Sequence, residues 1–201
     1  MSIKRVKPVK QGDLDGACGF YAIVNALKTL EPDLNESELF TQVIGSYMLD
    51  GDFNNFFEGT RRGSIKNTLS RVIEYINNRY DLFNDKTLEL YEFNFTMPYW
   101  YKDTPRTRKK VLEVIKQADN GKNKVCIIGY DYEQGGHWSV VKKVTDKGMH
   151  MVDSSYEKPI IHFDDAKVDS VHKPNRSKPY NLCSGDIFII EKKWLGQHVT
   201  Q

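Results

Sequence analysis

The sequence predicts an α+β fold, with helices gathered in its first part and an antiparallel sheet in the rest. Two observations carry this. Up to about residue 83, apolar residues recur at helical spacing. Beyond about residue 84 they alternate or run in short blocks separated by Gly and Asp turns. The length of 201 residues, 39% of them hydrophobic, suits one domain with a sizeable core. The expected organisation is a single domain over 1–201. Residues 1–83 form a mainly helical half, and 84–201 a mainly β half with one helix near 105–119. The active site is expected between the two halves.

The helical half opens with a loose alternation over 2–10 (Ile3, Val6, Val9), read as an edge strand that Pro8 limits. A turn at Asp13, Asp15 and Gly16 follows. A first helix runs from about Ala17 to Leu30, with Ala22, Ile23, Ala26, Leu27 and Leu30 on its apolar face. Asn35 caps a second helix over about 36–49, and a third spans about 64–80 with Ile65, Leu69, Val72, Ile73 and Ile76 in register. Between them, 50–63 reads as a loop whose Phe53, Phe56 and Phe57 either line a groove or pin the loop to the core.

In the β half, 87–95 alternates as a strand and 96–103 (TMPYWYKD) is an aromatic loop. Thr104 and Pro105 make an N-cap and first-position pair for the helix near 105–119. Strands follow at 124–130, 137–144, 149–153, 159–162 and 186–191, in an antiparallel meander, with 164–180 as a loop.

Bulk chemistry narrows the function. A net charge of +2 with 28% charged residues gives no electrostatic case for nucleic acid or membrane binding. Locally, Arg106, Arg108, Lys109 and Lys110 crowd the start of a helix. They are either a docking patch for an acidic partner or a solvated face. Three cysteines, Cys18, Cys126 and Cys183, lie far apart with no CxxC, against a disulfide framework or zinc ribbon. No metal or cofactor is expected. The basic start MSIKRVKPVK is followed by no apolar signal core, and no run is long enough to span a bilayer. The expected location is cytoplasmic, with signal-less export left open.

The stretch QGDLDGACGFYAIVNAL, residues 11–27, places Cys18 between glycines at the start of a helix. The amides and dipole of a helix N-terminus favour a thiolate, so Cys18 is the candidate nucleophile. Cys126 sits in an apolar strand and reads as a core thiol. A thiol hydrolase also needs a base, a group that orients it and donors for the oxyanion. Of five histidines, His137 follows Gly135-Gly136 at the mouth of a strand. His150 alternates with Met149 and Met151, and His162, His172 and His198 have no convergent partners. A hairpin centred on 145–148 brings Asp153 near residues 139–141. There it is placed to accept the Nδ1–H of His137, or simply to begin a turn; Asp131 is the alternative orienter. The Cys18 amide and the Gln11 side chain are the oxyanion donors. Asn25, seven residues after Cys18, belongs to the site or to the core.

Q-x6-C-G-F-Y opening a helix, G-G-H-W opening a strand and V-D-S ending the next together resemble the papain-like cysteine peptidase superfamily. Its C39-like and bacterial effector-type members look closest. The order Gln, Cys, His, Asp and the 16-residue step from His137 to Asp153 are both typical of it. The resemblance covers roughly 11–27 and 124–156. It implies a papain-like fold, with Cys18 as nucleophile, His137 as base, Asp153 as orienter and Gln11 as oxyanion donor. The Gln–Cys gap is one residue longer than the common pattern. Asp15-Gly16-x-Cys18 also resembles the D-G-x-C of ovarian-tumour-type deubiquitinases, which brings ubiquitin-like substrates into view. The expected activity is hydrolysis of a peptide or isopeptide bond in a protein or peptide substrate. The alternatives are a deamidase, an acyltransferase or a peptidoglycan amidase on the same site, and a non-enzymatic binding module on a papain-like scaffold.

Overall fold

A computed structural model describes residues 16–49, 59–84, 86–101, 103–118, 123–133, 135–155 and 160–197. The expected strand over 2–10, Gln11, His198 and the three phenylalanines of 50–58 lie outside the described residues. The architecture is α+β. Four helices are described: α1 (Cys18–Leu30), α2 (Glu36–Met48), α3 (Arg62–Arg79) and α4 (Arg108–Gln117). The strands are β1 (Glu89–Thr96), β2 (Lys124–Tyr132), β3 (Gly135–Val144), β4 (Gly148–Val152), β5 (Ile160–His162), β6 (Ala166–Val168) and β7 (Tyr180–Gln197). None of these helices is long and apolar enough to cross a membrane.

Helix α1 is buried almost all round, as expected of a helix whose apolar residues are not confined to one stripe. It packs against β2 and β3 on one side and against α2 and α3 on the other. Asn35 caps α2 as its sequence predicts, its side chain accepting the Glu38 N–H at 2.9 Å. The α3 stripe of Ile65, Leu69, Val72, Ile73 and Ile76 is buried against the same core.

The sheet order is β1-β7-β2-β3-β4-β5, with β6 alongside β7. Only β2 to β5 form the expected meander. The last strand crosses back to lie between β1 and β2, and β6 joins it in parallel. The expected loop over 164–180 therefore contains β6, preceded by a 3₁₀ turn at Phe163–Asp165. The expected strand over 186–191 is the middle of a much longer one, β7. Helix α4 also starts later than its sequence suggests. Thr107, not Thr104, is the cap, and its hydroxyl accepts the Lys110 N–H at 3.4 Å.

Period-two alternation divides β2 between the two faces of the sheet. Val125 and Ile127 face the α1–α3 core, while Cys126, Ile128 and Tyr130 belong to a second core under α4. Cys126 thus lies across the sheet from Cys18, as a core thiol. Both faces of β2 are buried, which accounts for its nearly continuous apolar run.

One glycine ties helix to helix at the site. A Cβ on Gly19 would lie 2.2 Å from Ile65 Cδ1 and 2.8 Å from Thr60 Oγ1. In an exposed helix Gly→Ala stabilises by up to about 1 kcal/mol. Overpacking in a core costs about 1–3 kcal/mol and wins here. Gly19→Ala is therefore expected to lower the urea midpoint. A raised midpoint would show that the α1–α3 contact relaxes freely.

Candidate active site

Helix α1 starts without a side-chain cap: Ala17 occupies that position with φ −85° and ψ 17°. The first-turn amides are left to other partners. Thr60 supplies one, its Oγ1 accepting the Gly19 N–H and donating to the Gly16 carbonyl, each at 3.3 Å. Trp138 Nε1–H donates to the Thr60 carbonyl at 2.8 Å. Segment 59–61 thereby links the turn that carries the thiol to the strand that carries the histidine. Cys18 is 6% exposed, at the wall of a cleft of about 450 Å³.

His137 and Asp153 meet in that wall. The β3–β4 hairpin closes through Thr145 N–H to the Gly148 carbonyl, and Val140 pairs with Val152. This register sets Asp153, one residue past β4, level with Ser139. From there its carboxylate lies 3.1 and 3.0 Å from His137 Nε2. The expected contact was through Nδ1, and the structure corrects it. Asp153 sits two positions further along the hairpin, so the far edge of the ring reaches it. Nδ1, nearer the backbone, is the nitrogen that the carboxylate does not engage, and His137 lines the cleft together with Cys18.

The carboxylate has further donors. Ser155 N–H donates to Oδ1 at 2.9 Å, and the Tyr130 hydroxyl donates to Oδ2 at 3.4 Å. The Asp153 carboxylate thus meets both the turn amide of Ser155 and the His137 ring. Tyr130, paired with His137 across β2 and β3, also sets its ring edge-on to the imidazole at 5.5 Å. Burial works against the imidazolium of His137. The hydrogen bonds to Asp153 and Cys18, with the charges behind them, outweigh it and push the group up to about 9. The base is thereby held in its charged form at neutral pH.

No family model matches the chain, and no curated protein matches it.

The other thiols are chemically distinct. Burial raises Cys126 strongly. Burial, followed by the carboxylates of Asp131, Asp186 and Asp169, pushes Cys183 up to about 12. Both are thiols near neutral pH. Asp131 lies on the Cys183 side of the cleft, its Oδ2 3.9 Å from Cys183 Sγ. Asn25 is 1% exposed and is not among the described residues lining the cleft; nor are His150, His162 and His172. No group of three or more His, Cys, Asp or Glu gathers to hold a metal among the described residues.

Several contributors were not legible in the sequence. Thr60, Tyr130 and Trp138 brace the three central residues. Of these only Trp138, directly after Gly-Gly-His, carried a local signal. Asp186 comes from an irregularity in β7. Ile128 pairs with Ile187 but Gly129 with Cys183, so Ser184, Gly185 and Asp186 bulge out. Gly129 makes room for this, since a Cβ there would lie 2.7 Å from that of Asp186. The cleft lining thus carries both signs, Arg61 and Arg62 with Asp131 and Asp186, and Arg62 meets Asp186 at 3.8 Å.

The basic cluster at α4 is partly structural. The Arg106 guanidinium donates to the carbonyls of Tyr99 (2.9 Å) and Tyr101 (3.4 Å). That of Arg108 donates to the carbonyls of Phe163 (2.6 Å) and Ala166 (3.5 Å). Lys109 and Lys110 are exposed.

Proposed function

We propose that the chain is a thiol hydrolase with a papain-like arrangement of nucleophile, base and orienter. The observation that carries this reading is Cys18 at a helix start in the lining of a cleft that His137 shares, with His137 Nε2 held by the Asp153 carboxylate. In the reaction, the Cys18 thiolate attacks an acyl carbon. The Cys18 amide, first in α1 and without an intrahelical acceptor, donates to the oxyanion. Gln11 is the proposed second donor. The His137 imidazolium gives its proton to the leaving amine, and a thioester remains on Cys18. His137, now neutral, takes a proton from water as the water oxygen adds to the thioester carbon; the C–S bond then breaks, releasing the acid and restoring the Cys18 thiolate beside the His137 imidazolium. The substrate class in this proposal is a peptide or isopeptide bond. Deamidation and acyl transfer use the same thioester and differ in what leaves and what resolves it.

A panel of electrophilic probes on peptide and ubiquitin-like carriers tests this. The expected result is an adduct on Cys18 that His137→Ala suppresses. A folded protein that no probe modifies at Cys18 would favour the binding-module reading. Incubation of a labelled probe carrier with wild type then separates the chemistries. Chain cleavage marks a peptidase, and conversion of glutamine to glutamate without cleavage marks a deamidase.

A further inference from the structure

We propose that a cation–aromatic shelf beside the cleft docks an acidic segment of the protein substrate, on the same side as Arg61 and Arg62. This rests on the thiol-hydrolase reading above and names a feature of its substrate. The shelf is built from the start of α3 and the aromatic loop after β1. Arg62 both lines the cleft and sets its guanidinium carbon 5.7 Å from the centre of the Trp100 ring. Lys66, one turn further along α3, sets its ammonium 5.2 Å from the same ring. Both distances are within cation–π range.

Trp100 and Tyr101 are 43% and 75% exposed, although their loop is firmly held. Tyr99 is buried at 2%, and Arg106 ties down the carbonyls on either side of Trp100. The two aromatics are thus presented outward by an anchored backbone. Held aromatics flanked by arginine are what an interface core is made of.

Charge decides the occupant. Arg62 and Lys66 meet at Trp100, Arg106 reaches the same Gly185 as Arg62, and Arg61 lines the adjoining cleft, while the whole chain carries only +2. The α3 N-terminus, with no side-chain cap at Arg61, adds its positive end. Asp186 meets Arg62 at 3.8 Å, but that arginine is 44% exposed, so the pair is weak and solvent-screened. An incoming carboxylate competes with it readily. A basic segment is repelled from the shelf and an acidic one is drawn to it, with an apolar side chain against Trp100 and Tyr101.

The test uses the full-length Cys18→Ala protein and a rhodamine-labelled peptide, Gly-Glu-Asp-Phe-Glu-Asp-Gly. Its Gln/Asn and Lys counterparts serve as references, and binding is read by fluorescence anisotropy. The acidic peptide is expected to bind best, and to lose affinity as salt rises from about 0.05 to about 0.5 M. Lys66→Glu and Trp100→Ala are each expected to weaken it roughly three- to tenfold. Equal binding of the neutral or basic peptide, or unchanged affinity in both variants, overturns the proposal. In the Cys18-containing background both variants should alkylate at Cys18 as fast as wild type, which checks that each is folded. Loss of selective Cys18 alkylation in wild type would remove the hydrolase reading and leave the peptide result standing. The converse pattern removes the shelf alone.

Discussion

With His137 replaced by alanine, amide hydrolysis is expected to fall by about 100- to 10,000-fold, the range a positioned general acid–base group supplies. Alkylation of Cys18 near neutral pH should slow in parallel, because the cationic ring in the cleft beside the reacting sulfur is gone. The two effects share one cause, the charged ring of His137, pushed up to about 9, in the same cleft as Cys18. A merely structural histidine would behave differently: its loss would lower stability and leave alkylation per folded molecule unchanged. Rates of both reactions on the same preparation, with folding followed by circular dichroism, separate the cases. Unchanged alkylation in folded His137→Ala would remove His137 from the site.

Asp153 gives the second large effect, and its two substitutions should part company. In Asp153→Ala two buried donors, His137 Nε2–H and the Tyr130 hydroxyl, lose this acceptor, as does the N–H of the exposed Ser155. Each orphaned buried group costs about 1–3 kcal/mol, so this variant should be both destabilised and inactive. Asp153→Asn keeps an acceptor oxygen and should stay folded, but it loses the charge that favours the imidazolium. The sign of the pH effect follows. In wild type His137 carries its proton up to about pH 9, so hydrolysis declines on the alkaline side as pH passes through that value. In Asp153→Asn the decline should move down by about 1–3 pH units. Alkylation needs only the thiolate, so it should show no alkaline decline in either protein. An alkaline limb in the same place for both would contradict the role of Asp153.

The parts of this architecture that were legible in the sequence are those fixed by near neighbours. The start of α1, the stripe of α3, the Asn35 cap and the β3–β4 hairpin depend on residues a few positions apart. The hairpin is what made the pairing of His137 with Asp153 readable across 16 residues. Which ring nitrogen faces the carboxylate depends on a two-residue offset in space, and no spacing rule encodes it. The helix α4 start failed for another reason. Thr104 and Thr107 are both competent caps three residues apart, and local propensity does not choose between them.

Long-range pairing was the main loss. The expected strand begins only at 186, yet β7 already runs through Cys183-Ser184-Gly185, because β2 on one side and β6 and then β1 on the other supply partners. Ser184, Gly185 and Asp186 become a bulge, and the bulge forms a wall of the cleft. The Trp138–Thr60 bond spans 78 residues and Gly19–Thr60 spans 41, so the brace around Cys18 was equally hidden.

The most direct test of the central claim is to treat wild type with limiting iodoacetamide near neutral pH and locate the adduct by mass spectrometry. Cys18, beside the His137 imidazolium, should label first and lose that priority in His137→Ala. Cys126 in the core and Cys183 among carboxylates should stay unmodified in the folded protein. Faster labelling of Cys183 or Cys126 than of Cys18 would contradict the assignment of the nucleophile.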